Sequence, residues 1–228
     1  MKVTLLAYTP EPDKLIAAAG KLCYSDSPAS EIMENLTPEA VDKFIGILIK
    51  LGHSSPIEHS SFSFGVDGVS RALTHQVVRH RMASFSQKSQ RYVSENGFSY
   101  VIPPEIEKIE DAKELFVDTM EAISESYSSI NQMLRENGRK EEEANEDSRF
   151  VLPNACTSSM VITMNVRELL HFFNQRCCNR AQWEIRELAD EMLRQCKQVA
   201  PLLFKNAGAP CVNRSCPEGK MSCGKPRK

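Results

Sequence analysis

Two spacings organise the apolar positions of this chain. From Ile106 to Leu134 an apolar residue returns every three or four positions, and Ile109, Ala112, Phe116, Met120, Ile123, Tyr127, Ile130 and Leu134 share one stripe. That spacing predicts a long helix over 106–136. Val3 to Tyr8 reads as an opening strand and 11–22 as a short helix. Thr37-Pro38-Glu39 opens another helix, with Thr37 as N-cap, a proline in the first turn and an acid at the positive end. It runs to Leu51 and stops at Gly52. Ser61 to Val66 alternates as a half-buried strand does. Ser70 is placed to cap a helix reaching about His80, after which a Ser-rich loop and a strand near Arg91–Val93 are expected. A strand over 158–164 follows, then a helix capped by Asn165 and a second over about 181–205. In the second, Ile185, Leu188, Ala189, Met192, Cys196 and Val199 form the buried face. The segment from Ala207 is rich in Gly, Pro and Cys and reads as irregular. With no internal repeat or low-complexity linker, the pattern predicts one α/β domain with a short tail.

Composition narrows the class. The chain has 228 residues, 28 Lys and Arg against 30 Asp and Glu, a net charge of −2 and eight cysteines. A chain this long needs no cross-links to bury a core. A near-neutral balance argues against a nucleic-acid coat or a polybasic membrane binder. No apolar run nears the ~20 residues of a bilayer span, and the N-terminus has no signal-peptide core. The expectation is a cytoplasmic protein with its cysteines as thiols.

The balance hides a local asymmetry. Arg71, Arg79, Arg81, Lys88 and Arg91 fall within 71–91 with no acid among them, interleaved with Ser84, Ser86, Ser89 and Tyr92. Guanidinium forks, hydroxyls and loop N–H groups together are how proteins hold phosphate; a basic surface helix and loop is the alternative. On a helix from Ser70, Gln76 and Arg79 would share a face, with small Ala72 behind them. A Gln amide donates and accepts, and beside an Arg and a small residue it suits a planar polar ligand. After Asn165, Arg167 and His171 take the polar side, whereas Arg176 sits at the edge of the apolar face and must find a partner or a ligand; snorkelling at the helix end is the alternative. Arg149 is ambiguous in the same way. Glu141-Glu142-Glu143 with Glu146 and Asp147 reads as a solvated face.

Arg79-His80-Arg81-Met82-Ala83-Ser84-Phe85-Ser86-Gln87-Lys88-Ser89-Gln90-Arg91 resembles the signature RHRxxSxxxxSxR of flavin-dependent thymidylate synthases, with all six fixed positions present. Supporting segments are His53-Ser54-Ser55-Pro56-Ile57-Glu58-His59, Asn165-Val166-Arg167, Asn174-Gln175-Arg176 and Ala181-Gln182-Trp183-Glu184. The resemblance covers 1–205 and leaves 206–228 as a Cys-containing tail. It implies a single α+β domain with a mainly antiparallel sheet flanked by long helices. It also implies conversion of dUMP to dTMP, with a methylene from methylenetetrahydrofolate and a hydride from FAD reduced by NADPH. A homotetramer with active sites shared between subunits is implied as well.

By match, His53, Ser55, Arg79, His80, Arg81, Gln87, Asn165, Arg167 and His171 would contact FAD. Gln76, Arg79, Gln87, Ser89, Gln90, Arg91, Arg149 and Arg176 would hold dUMP. Arg176 would take the chemical role beside the uracil, and Ser89 would orient or polarise dUMP, since no base stands near it in sequence. Three positions depart from the family pattern: Gln87 where many members carry Glu, His171 where Asn is familiar, and Arg180 in place of a frequent His.

Cys23, Cys156 and Cys196 read as packing residues, and Cys177-Cys178 end a helix without an assigned role. Cys211, Cys216 and Cys223 are spaced x4 and x6, unlike the tighter pairs of zinc sites. His53, Glu58, His59, His75 and His80 match no compact ligand pattern, so no metal is expected. A nucleic-acid module on 71–91 would want more stacking aromatics than Phe85 and Tyr92 provide. A metal-dependent hydrolase is the other rival.

Overall fold

The computed structural model describes residues 1–227. The elements follow in order: β1 (Lys2–Tyr8), α1 (Pro12–Leu22), α2 (Ala29–Asn35), α3 (Pro38–Leu51), β2 (Ser61–Ser70), α4 (Arg71–Val77), β3 (Ala83–Gln87), α5 (Pro104–Glu107), α6 (Glu110–Glu136), α7 (Glu141–Ser148), β4 (Thr157–Asn165), α8 (Val166–Arg176) and α9 (Trp183–Val199). The strands form one antiparallel sheet in the order β1-β2-β4-β3. The expected mix of helices and a mainly antiparallel sheet is therefore what the chain forms.

Local chemistry explains most boundaries. The Thr37 hydroxyl accepts from the Ala40 N–H at 3.3 Å, and Gly52 closes α3 at φ 69°. Asn165 caps α8 by accepting from the Glu168 N–H at 3.0 Å, and the Gln182 amide oxygen accepts from Glu184 and Ile185 at 3.1 Å. Helix α9 ends at Val199, short of the expected 205, because Pro201 disfavours helical backbone at Ala200. The expected helix over 106–136 begins at Glu110, with Ile109 extended ahead of it and 59% exposed.

Two expectations around the signature fail. Helix α4 stops at Val77, where two β-branched residues, Val77 and Val78, give little support for another turn. Arg79 therefore does not share a helical face with Gln76. The strand lies at Ala83–Gln87, inside the segment expected to be a Ser-rich loop, and Arg91–Val93 is a turn. Ser84, Phe85 and Ser86 do alternate as a strand requires, and pairing with β4, a tertiary effect, decides in favour of the strand. Helix α2 has no counterpart in the sequence pattern.

By internal packing the chain groups into two units. One comprises Met1–Lys2, Val66–Val77 and Ser86–Met160; the other comprises Val3–Gly65, Val78–Phe85 and the chain from Val161 onward. The first unit is built on α6. Met120, Phe98 and Cys156 form its core, flanked by Tyr100, Phe116, Ile123, Leu152 and Ala155. Tyr127 is fully buried; its hydroxyl accepts from the Glu95 N–H at 3.1 Å. Backbone bonds from Arg71 to Cys156 (3.0 Å) and from Lys88 to Ser159 (2.9 Å) fix the strand register there.

The second unit is centred on aromatic packing. Phe204 meets Phe62 and Phe173 edge-on at 5.5 and 5.9 Å. Leu169, Phe172, Ile185, Leu188 and Met192 are buried around them. At the outer edge of β1, the Gln195 side chain of α9 acts like a neighbouring strand. Its amide oxygen accepts from the Leu5 N–H at 2.7 Å, and its nitrogen donates to the Val3 carbonyl at 2.9 Å. The tail is irregular, as expected. Arg227 ties it down by donating to the Cys177 carbonyl at 2.6 Å and to the Asp190 carboxylate at 2.8 Å. Among the described residues no helix is long and apolar enough to cross a membrane.

Candidate active site

The expected site residues fall in both units, and each group has its own geometry. In the second unit a short turn carries Arg79, His80 and Arg81 between α4 and β3, and α8 supplies Glu168, His171, Gln175 and Arg176. These residues, with Met82, line a cavity of about 490 Å³. A neighbouring cavity of about 420 Å³ is lined by Glu58, Asn165 and Arg167, together with Met82, Glu168 and His171. Seven of the residues expected to bind ligands thus border these two hollows: Arg79, His80, Arg81, Asn165, Arg167, His171 and Arg176. His53 and Ser55 lie on the loop after α3 and line neither.

His80 is the buried centre of this group, 5% exposed, with Phe172 edge-on against its ring at 4.9 Å. Its Nδ1 lies 3.1 Å from Glu168 Oε1, and its Nε2 accepts from Arg176 Nε at 3.0 Å. Burial first, then the Arg176 charge, push the His80 pKa below the ordinary histidine value, against the pull of Glu168. Arg176 is also pressed down, by burial and then by the charge of Arg79. Among the described residues Arg79, Arg81 and Arg176 make no ion pair with a carboxylate. Three guanidinium groups left without carboxylates around a hollow suit an anionic ligand. Arg167 pairs instead with Glu58, and His171 bonds Gln175 at 3.0 Å.

In the first unit the signature continues past β3. The Gln87 amide donates to Thr74 Oγ1 and Ser158 Oγ, both at 3.2 Å. A carboxylate there could only accept from those hydroxyls, so the Gln87 departure changes the direction of the bonds. Ser89 closes a turn: its hydroxyl oxygen accepts from the Arg91 and Tyr92 N–H groups at 3.2 and 3.4 Å. Among the described residues no His, Asp or Glu side chain bonds it. Gln90 is buried against Cys156, and Lys88 reaches buried Glu95 at 3.0 Å. Arg91 pairs with Glu146 at 2.9 Å, and the Nε of Arg149 donates to the Glu146 carbonyl at 3.3 Å. The acidic run is therefore not merely a solvated face. Gln76 bends back to the Ala72 carbonyl at 3.2 Å.

The sequence reading gave no partner role to Glu168, Glu146 or Glu95, each a carboxylate paired with a residue of the 79–91 segment. It also misplaced one thiol. Cys23 is exposed at the end of α1, whereas Cys156 and Cys196 are buried. Cys178, Cys211, Cys216 and Cys223 border a third cavity, about 500 Å³, that also reaches Arg176 and Arg180. Among the described residues, however, no three His, Cys, Asp or Glu side chains converge as a metal ion requires. Arg180, the third departure, pairs with Glu218 of the tail.

A mixed helix-and-sheet chain whose Arg79, Arg81 and Arg176 pair with no carboxylate among the described residues and line one hollow fits the class that binds anionic small molecules. The chain matches the family described as "Thymidylate synthase complementing protein" over residues 4–202. Proteins called flavin-dependent thymidylate synthase resemble it closely along nearly their whole length. The one from Clostridium tetani is 52% identical, covering 99% of this chain and 94% of that protein. Those from Nitratidesulfovibrio vulgaris and Geobacter sulfurreducens are 50% and 47% identical, covering 98% and 99% of this chain and 94% of each relative. The chain belongs to the flavin-dependent thymidylate synthase family.

Proposed function

We propose that this enzyme converts dUMP to dTMP, taking the methylene of methylenetetrahydrofolate, with FAD as its cofactor and NADPH as reductant. The observation that carries the reading is the group of Arg79, Arg81 and Arg176, unpaired with any carboxylate among the described residues and gathered round one hollow with His80. Its charge and open donors fit the phosphates of a flavin dinucleotide or a nucleotide, and this supports His80, Arg79, Arg81, Asn165, Arg167 and His171 as flavin contacts. His53 and Ser55 are proposed with them on resemblance alone. When bound, the reduced flavin supplies the hydride.

The side chains bind and polarise. Gln76, Arg79, Gln87, Gln90, Arg91 and Arg149 are proposed, on resemblance, as dUMP-binding residues. Ser89 orients the nucleotide. Arg176, held by its Nε, keeps its two terminal nitrogens clear of protein acceptors among the described residues. Set against the N3–C2 edge of the uracil, they stabilise negative charge on the ring and make C5 nucleophilic. No cysteine falls in the signature, and the polarising role is assigned to Arg176.

Residues 1–205 are proposed as the catalytic domain and 206–228 as an appended tail. The active enzyme is proposed to be a cytoplasmic homotetramer that shares its active sites between subunits and binds neither nucleic acid nor membrane. The test is a titration of FAD and dUMP into purified protein, followed by NADPH oxidation with methylenetetrahydrofolate. The expected result is a yellow protein that forms dTMP. Arg176→Ala should lower dUMP-dependent turnover by roughly 100-fold or more while sparing FAD binding. A protein that binds no flavin, or a variant with full turnover, sinks the reading.

A further inference from the structure

We propose that His80 and Glu168 form a positioning relay for Arg176, in which Glu168 fixes the histidine tautomer and the histidine aims the guanidinium. The proposal rests on the thymidylate synthase reading for the role of Arg176, and on this structure alone for the relay. A guanidinium has no lone pair to offer, so at 3.0 Å Arg176 Nε must donate and His80 Nε2 must accept. His80 must therefore carry its proton on Nδ1, where Glu168 Oε1 receives it at 3.1 Å. Burial on both sides leaves little room for water to substitute: His80 is 5% exposed and Glu168 8%. Glu168 also sits in the first turn of α8, where the helix end favours a carboxylate. Phe172 holds the imidazole ring edge-on.

One consequence is a pH dependence. The charged and titratable groups around His80 are Glu168, His171 and Arg176 on α8 and Arg79 and Arg81 in its own turn. A proton added to Nε2 would face the Arg176 N–H and break the bond. Because the folded pKa lies below the ordinary value of about 6.5, the neutral form is favoured by folding. The arrangement is intact above that value and is lost as pH falls through the folded one. Glu168 works against this by drawing a proton on, so its charge sets how far the acid limb reaches.

The experiment uses the flavin-loaded full-length enzyme. Glu168→Ala should lower kcat/KM for dUMP by roughly 100-fold, the cost of a misaligned group, and change FAD affinity far less. Glu168→Gln, whose amide oxygen can still accept from Nδ1–H, should recover most of that loss and move the acid limb of kcat/KM to lower pH. Nitrogen NMR of His80 in the wild-type holoenzyme should show the Nδ1–H tautomer, and this reading holds even if Glu168→Ala fails to fold. An Nε2–H tautomer overturns the relay. So does wild-type kcat/KM with an unmoved pH profile in Glu168→Ala, and so does loss of FAD with dUMP handling intact. If the wild type makes no dTMP, the reading of function fails instead, while the tautomer measurement still decides the relay.

Discussion

Cysteine reactivity separates residues that the composition lumps together. Cys156 has its thiol pushed up to about 11, by burial first and then by Glu95. Burial likewise raises Cys177 and Cys196 far above the ordinary thiol range. Cys23 and Cys223 are exposed. Iodoacetamide at pH 8 should therefore label Cys23 and Cys223 first and leave Cys156, Cys177 and Cys196 unmodified until the protein unfolds, which peptide mass spectrometry will check. Early labelling of Cys196 would contradict its burial. At this scale the sequence is readable where a residue type carries its own constraint. Arg176 at the edge of an apolar face has to find a partner, and it does. The partner itself is not readable, because His80 lies 96 residues away, and Glu168 lies 88 residues from His80. No local spacing reports such a pairing. A glutamate in the first turn of a helix looks like ordinary dipole complementation until the fold brings the imidazole to it.

The helices show how far local signals reach. Helix α3 is legible at both ends because its signals are neighbours along the chain: Thr37 and Pro38 at its start, Gly52 after it. Thr37→Ala should cost about 1 kcal/mol. Gly52→Ala, at φ 69° with open space around it, should cost a similar ~1 kcal/mol through backbone strain alone. Urea midpoints of the two variants and their double mutant will check this, and the two costs should add. Strand β3 is not legible. Its Ser84-Phe85-Ser86 core is strand-like only weakly, and a serine-rich run prefers turns. Pairing with β4 settles the matter, a contact made by a segment far downstream. At the shortened α4 both scales act: Val77 and Val78 give the helix little support, and His80 is bonded to Glu168 and Arg176 of α8.

Across the whole chain, the charge balance is informative for what it conceals. The five cations of 71–91 and the five acids of 141–147 cancel in the net charge, although only Arg91–Glu146 and the Arg139 pairs tie any of those acids to a cation among the described residues. The tail is held by Arg227, by Asn179, which donates to the Lys225 carbonyl at 2.7 Å, and by the Arg180–Glu218 pair. Arg227→Ala should cost at most about 1 kcal/mol, because the pair with Asp190 is partly exposed. It should nonetheless raise the rate at which trypsin cuts after Arg214 and Lys220, followed on a gel. An unchanged digestion rate would show that other contacts hold the tail. The amide of Gln195 bears on a different property, the fate of the protein in solution. The strand it borders reads Lys-Val-Thr-Leu-Leu-Ala-Tyr, with Leu6 and Tyr8 exposed. A row of free peptide groups on such an apolar strand is a template on which other chains can stack. By filling two of those groups with a side chain, Gln195 of α9 leaves fewer of them for another chain to pair with. Gln195→Ala should therefore leave helix content unchanged yet shorten the lag before light scattering rises in a concentrated sample. That makes one glutamine a solubility determinant for a surface it does not belong to.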